Sequence, residues 1–367
     1  MTIRTAPQRV LAIKLADLGD LLLCEPAFRS LRTAFPDARI DVLTTPPSAA
    51  LLPLIGHDLQ AITFPKHIFD SPSAVANPLT ARHAAALAVR LRVARYDLVV
   101  VLHHLTTAFG ARKFGALVRA TGCSVIAGLE NGRGAFLTHR VDDIGFGARH
   151  EAEYMRDVAV AAGGMVVDAV PTVTVPNHRA GAFPLPETFA AIFPATGPYS
   201  SAREWPAIRF GAVAALLRRL GVSAAIVGGD DARGAAKIIR AIEPSAIDLT
   251  GRTSLAELAL VLSRARVVVG GDSFIGHLAA ALGRPVVSIF GPSNADAWRP
   301  AGAVDASAPS TGDGQSLIVR HDLPCMPCLY TGFRLGRPKG CPDRTCLKLV
   351  TVDDVSAAVT RVLGVGP

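Results

Sequence analysis

Several groups of residues in this 367-residue chain have the types and spacing to do chemistry. The segment VVVGGDSFIGHLAAALGRPVVSIFGPSNADAWRP, residues 267–300, sets Asp272, Ser273 and His277 just after a glycine pair and at the head of an alanine- and leucine-rich run. The pattern predicts a strand stopping at Gly270-Gly271, Asp272 and Ser273 as an N-cap, a helix over 277–282 and a second strand over 286–290. Such a βαβ unit points a helix N-terminus at the carboxyl edge of a parallel sheet. Free backbone N–H groups and the helix dipole favour an anion there, so phosphate or pyrophosphate is the expected ligand. The segment PATGPYSSAREWP, residues 194–206, adds small hydroxyl residues, a glycine and Arg203 at the end of another strand, types suited to phosphate contacts.

Two further carboxylate groups have more than one reading. Asp17 and Asp20 end the segment LADLGD after the first strand, where they either cap the next element or accept a proton from a substrate hydroxyl. Asp231, in GGDD, either accepts hydrogen bonds from a ribose or caps its helix, and taken alone the cap is the better account. His103-His104 closes the strand YDLVVVL, a position at which a structural role outweighs a catalytic one. Four of the six cysteines come late, as Cys325, Cys328, Cys341 and Cys346. A C-x-x-C with two more thiols in a cytosolic chain suits a structural zinc or iron better than disulfides, the alternative being a reduced, metal-free loop.

The elements that must position these residues alternate regularly. Strands over 9–15, 39–44, 96–102 and 124–129 are separated by helices over 21–34, 84–95 and 111–119, with a proline-broken stretch between 46 and 79. Strands over 189–193, 223–227, 266–269 and 286–290 repeat the pattern with helices over 208–220, 232–242 and 255–263. Two doubly wound parallel sheets in tandem, facing across a cleft, follow from this, a GT-B-like α/β fold with two Rossmann-like domains. The expected boundaries are residues 1–178 for an acceptor-side domain and 179–350 for a donor domain carrying the cysteine loop at 325–346. Residues 351–367 are expected as a last helix packing back on the first domain.

Composition narrows the function classes. Half the residues are hydrophobic and 19% are charged, which supports large buried sheets and argues against disorder. No apolar run is long enough to span a bilayer, and Lys14, Asp17 and Asp20 interrupt what would otherwise be a signal-peptide core, so a cytoplasmic protein is expected. A net charge of +8 suggests anionic partners, namely nucleotide phosphates, an acidic acceptor or the inner face of a membrane. Aromatics at 6% and the lack of a recognition motif argue against nucleic acid. LADLGD has one glycine, which argues against a nicotinamide enzyme.

Taken in order, four segments resemble glycosyltransferase family 9, the heptosyltransferases of bacterial surface polysaccharide assembly. They are RVLAIKLADLGDLLLCEPAFRSLRTAFPDARIDVL, YDLVVVLHHLTTAFGARKFG, PATGPYSSAREWP and VVVGGDSFIGHLAAALGRPVVSIFGPSNADAWRP, followed by the cysteine loop and a Thr-Val-Asp-Asp-Val helix. The resemblance implies Asp20 as the base that deprotonates the acceptor hydroxyl. It implies Arg203, with Thr196 and Gly197 in its loop, at the donor phosphates, and Asp272, Ser273 and His277 in the donor site. Asp231 falls near a family acidic position at the nucleoside. Phe274 stands where the family pattern has glycine, and Gly276 where it has a small polar residue or methionine. The activity so implied is inverting, cofactor-independent transfer of a sugar, with ADP-heptose the leading donor, to a lipopolysaccharide-core or related glycan acceptor. The alternatives are a non-catalytic nucleotide-sugar binder and an epimerase-like enzyme on the same fold.

Overall fold

The computed structural model describes residues 6–65, 77–175, 183–197, 199–309 and 314–365. Its chain divides into two compact units, one of residues 1–145 and 151–171, the other of residues 146–150 and 172–367. The boundary expected at 178/179 lies outside the described residues.

The first unit is a six-stranded parallel sheet built from β1 (Arg9–Lys14), β2 (Arg39–Thr44), β3 (Leu59–Thr63), β4 (Leu98–Val101), β5 (Ile126–Glu130) and β6 (His139–Asp142). The order β3-β2-β1-β4-β5-β6 is that of a doubly wound sheet, reversing between β1 and β4. The LVVV of β4 is buried throughout because helices cover both faces, which is why the sequence shows a solid apolar run and no alternation. The helix expected over 21–34 is two, Leu18–Leu22 and Glu25–Ala34, broken at Leu23-Cys24. Pro26 lacks an N–H and fits only the first turn of a helix, so the chain restarts there.

The second unit is a seven-stranded sheet of β7 (Phe189–Phe193), β8 (Ser223–Ile226), β9 (Ile247–Asp248), β10 (Val268–Gly271), β11 (Val286–Ile289), β12 (Val304–Asp305) and β13 (Leu317–Val319). Its order is β12-β13-β11-β10-β7-β8-β9, all parallel, reversing between β7 and β10. A small antiparallel hairpin, β14 (Leu329–Thr331) and β15 (Arg334–Gly336), lies in the cysteine-bearing loop. The final helix, Val352–Leu363, starts with a capping box between Thr351 and Asp354. It packs in the core of the second unit beside Phe210, Ile289 and Val319, which is where its buried residues Val355, Val359 and Val362 find partners; the sequence placed it on the first domain.

Two glycines keep the second sheet tight. Gly270 and Gly271 are the last two residues of β10, which ends at the glycine pair as expected. A Cβ at Gly270 would collide with the ring and carbonyl oxygen of Phe193 on β7, and one at Gly271 would lie 3.0 Å from Thr196 Cγ2. The glycines are there for close approach of neighbouring strands at the switch point.

Candidate functional site

Each sheet reverses its order where ligands of doubly wound folds bind, at the carboxyl ends of the two central strands. In the second unit those ends carry the residues singled out in the sequence. The loop after β7 holds Thr196, Gly197 at φ +76° and, in a short 3-10 turn, Arg203. The loop after β10 holds Asp272 and Ser273, and the helix Phe274–Ala281 that follows carries His277.

Arg203 joins the two loops. Its Nη1 donates to Asp272 Oδ2 at 3.2 Å and its Nη2 to the Thr196 carbonyl at 2.9 Å, while the Thr196 hydroxyl donates to the Ser200 carbonyl at 3.1 Å. Both charged residues are largely buried, so the pair is held in place and its charges are poorly screened. Burial works against the guanidinium charge, but Asp272 and the nearby phenols of Tyr330 and Tyr199 outweigh it.

Around this pair lie polar atoms that nothing among the described residues satisfies. Arg203 Nε, Ser273 Oγ and His277 Nδ1 are all buried without a hydrogen-bond partner. Ser273 occupies the N-cap position foreseen for it, yet its side chain makes no capping bond. Its hydroxyl is therefore left for something else. Burial pushes His277 down to about 4, with Asp272 opposing that fall and His150 and Arg203 adding to it. The imidazole is neutral near pH 7. Buried polar atoms without partners are rare and costly, and here three belong to residues at or near one helix N-terminus. The arrangement can bind a diphosphate and stabilise negative charge that develops on it.

Asp231 lies apart from this cluster. It is exposed in the turn Asp230–Ala232 after β8, makes no capping bond and lines a recess of about 400 Å³ with Ala195, Trp205 and Pro206.

In the first unit, Asp17 and Asp20 follow β1 and His103 and His104 follow β4, again the two central strands. Asp17 is the N-cap residue of the helix Leu18–Leu22 but makes no side-chain capping bond. Asp20 is half-buried within that helix. Its charge acts on Lys14, buried at the end of β1. Burial lowers the lysine, but Cys24, Asp20 and Glu151 together more than restore it, leaving it raised. Burial pushes the Cys24 thiol to about 12, against the pull of Lys14, so it stays protonated.

His104 is the centre of a second buried charge group. Its Nδ1 lies 2.9 Å from Asp143 Oδ1 and its Nε2 3.0 Å from Glu151 Oε1. Burial opposes its charge, yet Glu151 and Asp143 raise it to about 9, so it is an imidazolium. His103 instead accepts the Leu15 N–H at Nε2, 2.6 Å, and packs its ring on Phe114 at 4.5 Å. These contacts join the ends of β1 and β4.

The cysteines do not form the expected metal site. Among the described residues no group of three or more His, Cys, Asp or Glu side chains is arranged to hold a metal ion. Cys325, Cys328, Cys341 and Cys346 are free thiols, with Cys325 and Cys341 exposed and Cys346 buried at the head of the helix Thr345–Leu349. Cys328 Sγ donates to the Cys325 carbonyl at 3.1 Å, and Cys341 Sγ accepts the Arg344 N–H at 3.4 Å. Burial, with the other thiols adding, raises Cys328 and Cys346 above the ordinary thiol value.

Reading the sequence missed the groups whose meaning depends on tertiary partners. Lys14 was visible as a lone lysine in the apolar run RVLAIKL, a signal that a buried charge needs a partner. Asp143 and Glu151 carried no such signal, since acidic residues in a loop and a first helical turn are ordinary.

Comparison with known proteins shows the family and the fold. The family model described as Glycosyltransferase family 9 (heptosyltransferase) matches residues 84–328. The chain is 27% identical over 347 residues to lipopolysaccharide heptosyltransferase 1 of Pseudomonas aeruginosa, covering 88% of this chain and 86% of that protein. It is 25% identical over 310 residues to lipopolysaccharide heptosyltransferase 3 of Escherichia coli, covering 77% and 83%. Among solved structures, ADP-heptose LPS heptosyltransferase II of E. coli superposes with a TM-score of 0.70 at 20% identity, covering 97% of this chain and 98% of that one. That likeness establishes the GT-B fold.

Proposed function

Because the chain belongs to glycosyltransferase family 9, the heptosyltransferase family, it is a glycosyltransferase, and we propose that it transfers heptose from ADP-heptose to a lipopolysaccharide-core or related surface-glycan acceptor with inversion at the anomeric carbon. The observation that carries the reading is the convergence of Arg203, Ser273 and His277, with unsatisfied buried polar atoms, at the N-terminus of the helix Phe274–Ala281.

In this proposal the acceptor oxygen attacks the anomeric carbon and forms the new glycosidic bond. The bond from that carbon to the diphosphate breaks, its electron pair leaving with the diphosphate oxygen. Asp20 accepts the proton from the attacking hydroxyl. Arg203, the Ser273 hydroxyl and the helix amides stabilise the departing charge without a metal ion. Neutral His277 donates or accepts one hydrogen bond with no charge of its own. Thr196 and Gly197 shape the loop under the phosphates, Asp272 holds Arg203 in place, and Asp231 serves the nucleoside. Lys14 positions the Asp20 carboxylate. The net charge of +8 supports an anionic acceptor and work at an anionic membrane face; no helix among the described residues is long and apolar enough to cross a membrane.

The test offers purified protein a panel of nucleotide sugars with lipid A-core extract, comparing wild type with Asp20→Ala. Transfer from ADP-heptose that disappears in the variant is the expected result. Transfer from another sugar retires the donor assignment, and transfer that survives in the variant retires Asp20 as base.

A further inference from the structure

Across the carboxyl edge of the second sheet the strands run β8, β7, β10, β11. The segments after them carry, in the same order, Asp231, then Arg203, then Asp272 with His277, then Ser293 with Trp298. A nucleotide sugar whose diphosphate lies on Arg203 and the 274–281 helix has two remaining ends. The proposed function puts the nucleoside toward Asp231, on the β8 side. The glycosyl group then falls on the β11 side.

On that side Trp298 is joined by rings from the loop after β7 and from the β14 hairpin, which bridges to the segment after β11 at Ser293 and Leu329. Tyr199 and Tyr330 are stacked, with centroids 6.1 Å apart and planes 20° from parallel. Trp298 lies 5.2 Å from Tyr330, and the Arg203 guanidinium carbon 6.0 Å from the centre of the Tyr199 ring. Among the described residues the Ser293 hydroxyl and the Trp298 indole N–H are buried without partners, and Ser293 itself is only 2% exposed. Tyr330 is held at φ 60°, a left-handed conformation that an aromatic residue adopts only under constraint. The constraint is visible. Asn294 Nδ2 donates to the Tyr330 carbonyl at 2.9 Å, and the amides of Cys328 and Leu329 both donate to the Pro292 carbonyl, fastening the β14 hairpin beside the segment after β11. Strained backbone that delivers one ring to the rim of a polar site is a feature of ligand clamps.

We propose that Tyr199, Tyr330 and Trp298 form the subsite for the donor's glycosyl group, and that the hairpin of the cysteine-bearing loop serves to present Tyr330 there. The ring faces pack on the sugar's C–H face, while the Trp298 N–H and the Ser293 hydroxyl bond sugar hydroxyls. This assignment rests on the proposed function, since it takes the diphosphate at Arg203 as given.

The test is titration calorimetry of wild type, Tyr330→Ala, Tyr330→Phe and Tyr199→Ala with ADP and with ADP-heptose. Wild type binds both. Tyr330→Ala and Tyr199→Ala lose affinity for ADP-heptose about tenfold, as loss of one aromatic contact predicts, and keep their affinity for ADP. Tyr330→Phe, which retains the ring, stays within about threefold of wild type for both ligands, a phenol hydrogen bond at the rim contributing little. Equal losses for ADP and ADP-heptose in the alanine variants would mean that the rings only support the phosphate loop, and would overturn the subsite. Unchanged ADP-heptose binding in both alanine variants would overturn it as well. Failure of wild type to bind either ligand would instead overturn the proposed function, and the subsite with it.

Discussion

Arg203 Nη1 donates to Asp272 Oδ2 at 3.2 Å, and this bond ties the loop after β7 to the loop after β10 where the second sheet reverses its order. The guanidinium is thereby set beside the N-terminus of the helix Phe274–Ala281, with its Nε still unpaired. Removing it leaves Asp272, 4% exposed, as a buried carboxylate without its counter-ion. Arg203→Ala is expected to lower unfolding free energy by about 3 kcal/mol and kcat/KM by roughly 10²–10³, the ranges for breaking a buried pair and for losing one transition-state donor. Urea unfolding and steady-state kinetics measure the two effects separately. Arg203→Lys keeps the charge but not the fork, so it recovers stability better than activity.

Asp20→Asn tests the base. The amide is isosteric, so donor KM stays near wild type while kcat falls about 10²–10⁴, the range for loss of general-base catalysis, and unfolding free energy drops because buried Lys14 loses one of its counter-charges. An unchanged kcat would remove Asp20 from the chemistry.

His104 predicts an alkaline limit to the stability of the first unit. Its folded value, about 9, lies above the ordinary 6.5 of the unfolded chain. The native state therefore binds the extra proton, and the stabilisation is complete below about pH 6.5 and lost as pH rises through 9. The shift corresponds to at most about 3 kcal/mol. Melting temperature measured from pH 6 to 10 should fall across this window in wild type. In His104→Gln the same scan should be flatter and start lower, because Asp143 and Glu151 then lack their cation.

His277 acts in the opposite sense. Its folded value, about 4, lies below the unfolded one, so the unfolded chain takes up a proton that the native protein refuses. Stability contributed by the neutral form is intact above about pH 6.5 and declines as pH falls toward 4. His277→Gln, which keeps a polar amide but does not titrate, should reduce that acid-side loss in melting scans between pH 4 and 7.

The cysteine loop gives a direct measurement. With no arrangement of His, Cys, Asp and Glu ligands among the described residues, protein purified under reducing conditions should contain no stoichiometric zinc or iron, and chelator should leave its melting temperature unchanged. Stoichiometric metal whose removal lowers that temperature would restore the site expected at Cys325, Cys328, Cys341 and Cys346.

Much of this protein was legible before any tertiary structure. Apolar runs such as RVLAIK and FAAIF read as strands buried on both faces, and their alternation with helices about thirty residues apart points to parallel, doubly wound sheets. Position in such a sheet then places Asp20, Arg203, Asp272 and His277 at strand ends, because a residue following a strand in a βαβ unit has nowhere else to go. These are consequences of local periodicity, which one chain segment carries by itself. Partners distant in sequence are different. That Arg203 grips Asp272, that Gly270 is dictated by the Phe193 ring, that His104 is charged because Asp143 and Glu151 flank it, and that Tyr330 of the cysteine loop stacks on Tyr199 all depend on which loops the fold brings together. So does the arrangement of the four late cysteines, whose spacing suggested a metal and which form no group of metal ligands among the described residues. Spacing along the chain determines what a residue can reach within one unit of structure; charge state, burial and long-range pairing are set by neighbours that only the folded chain supplies.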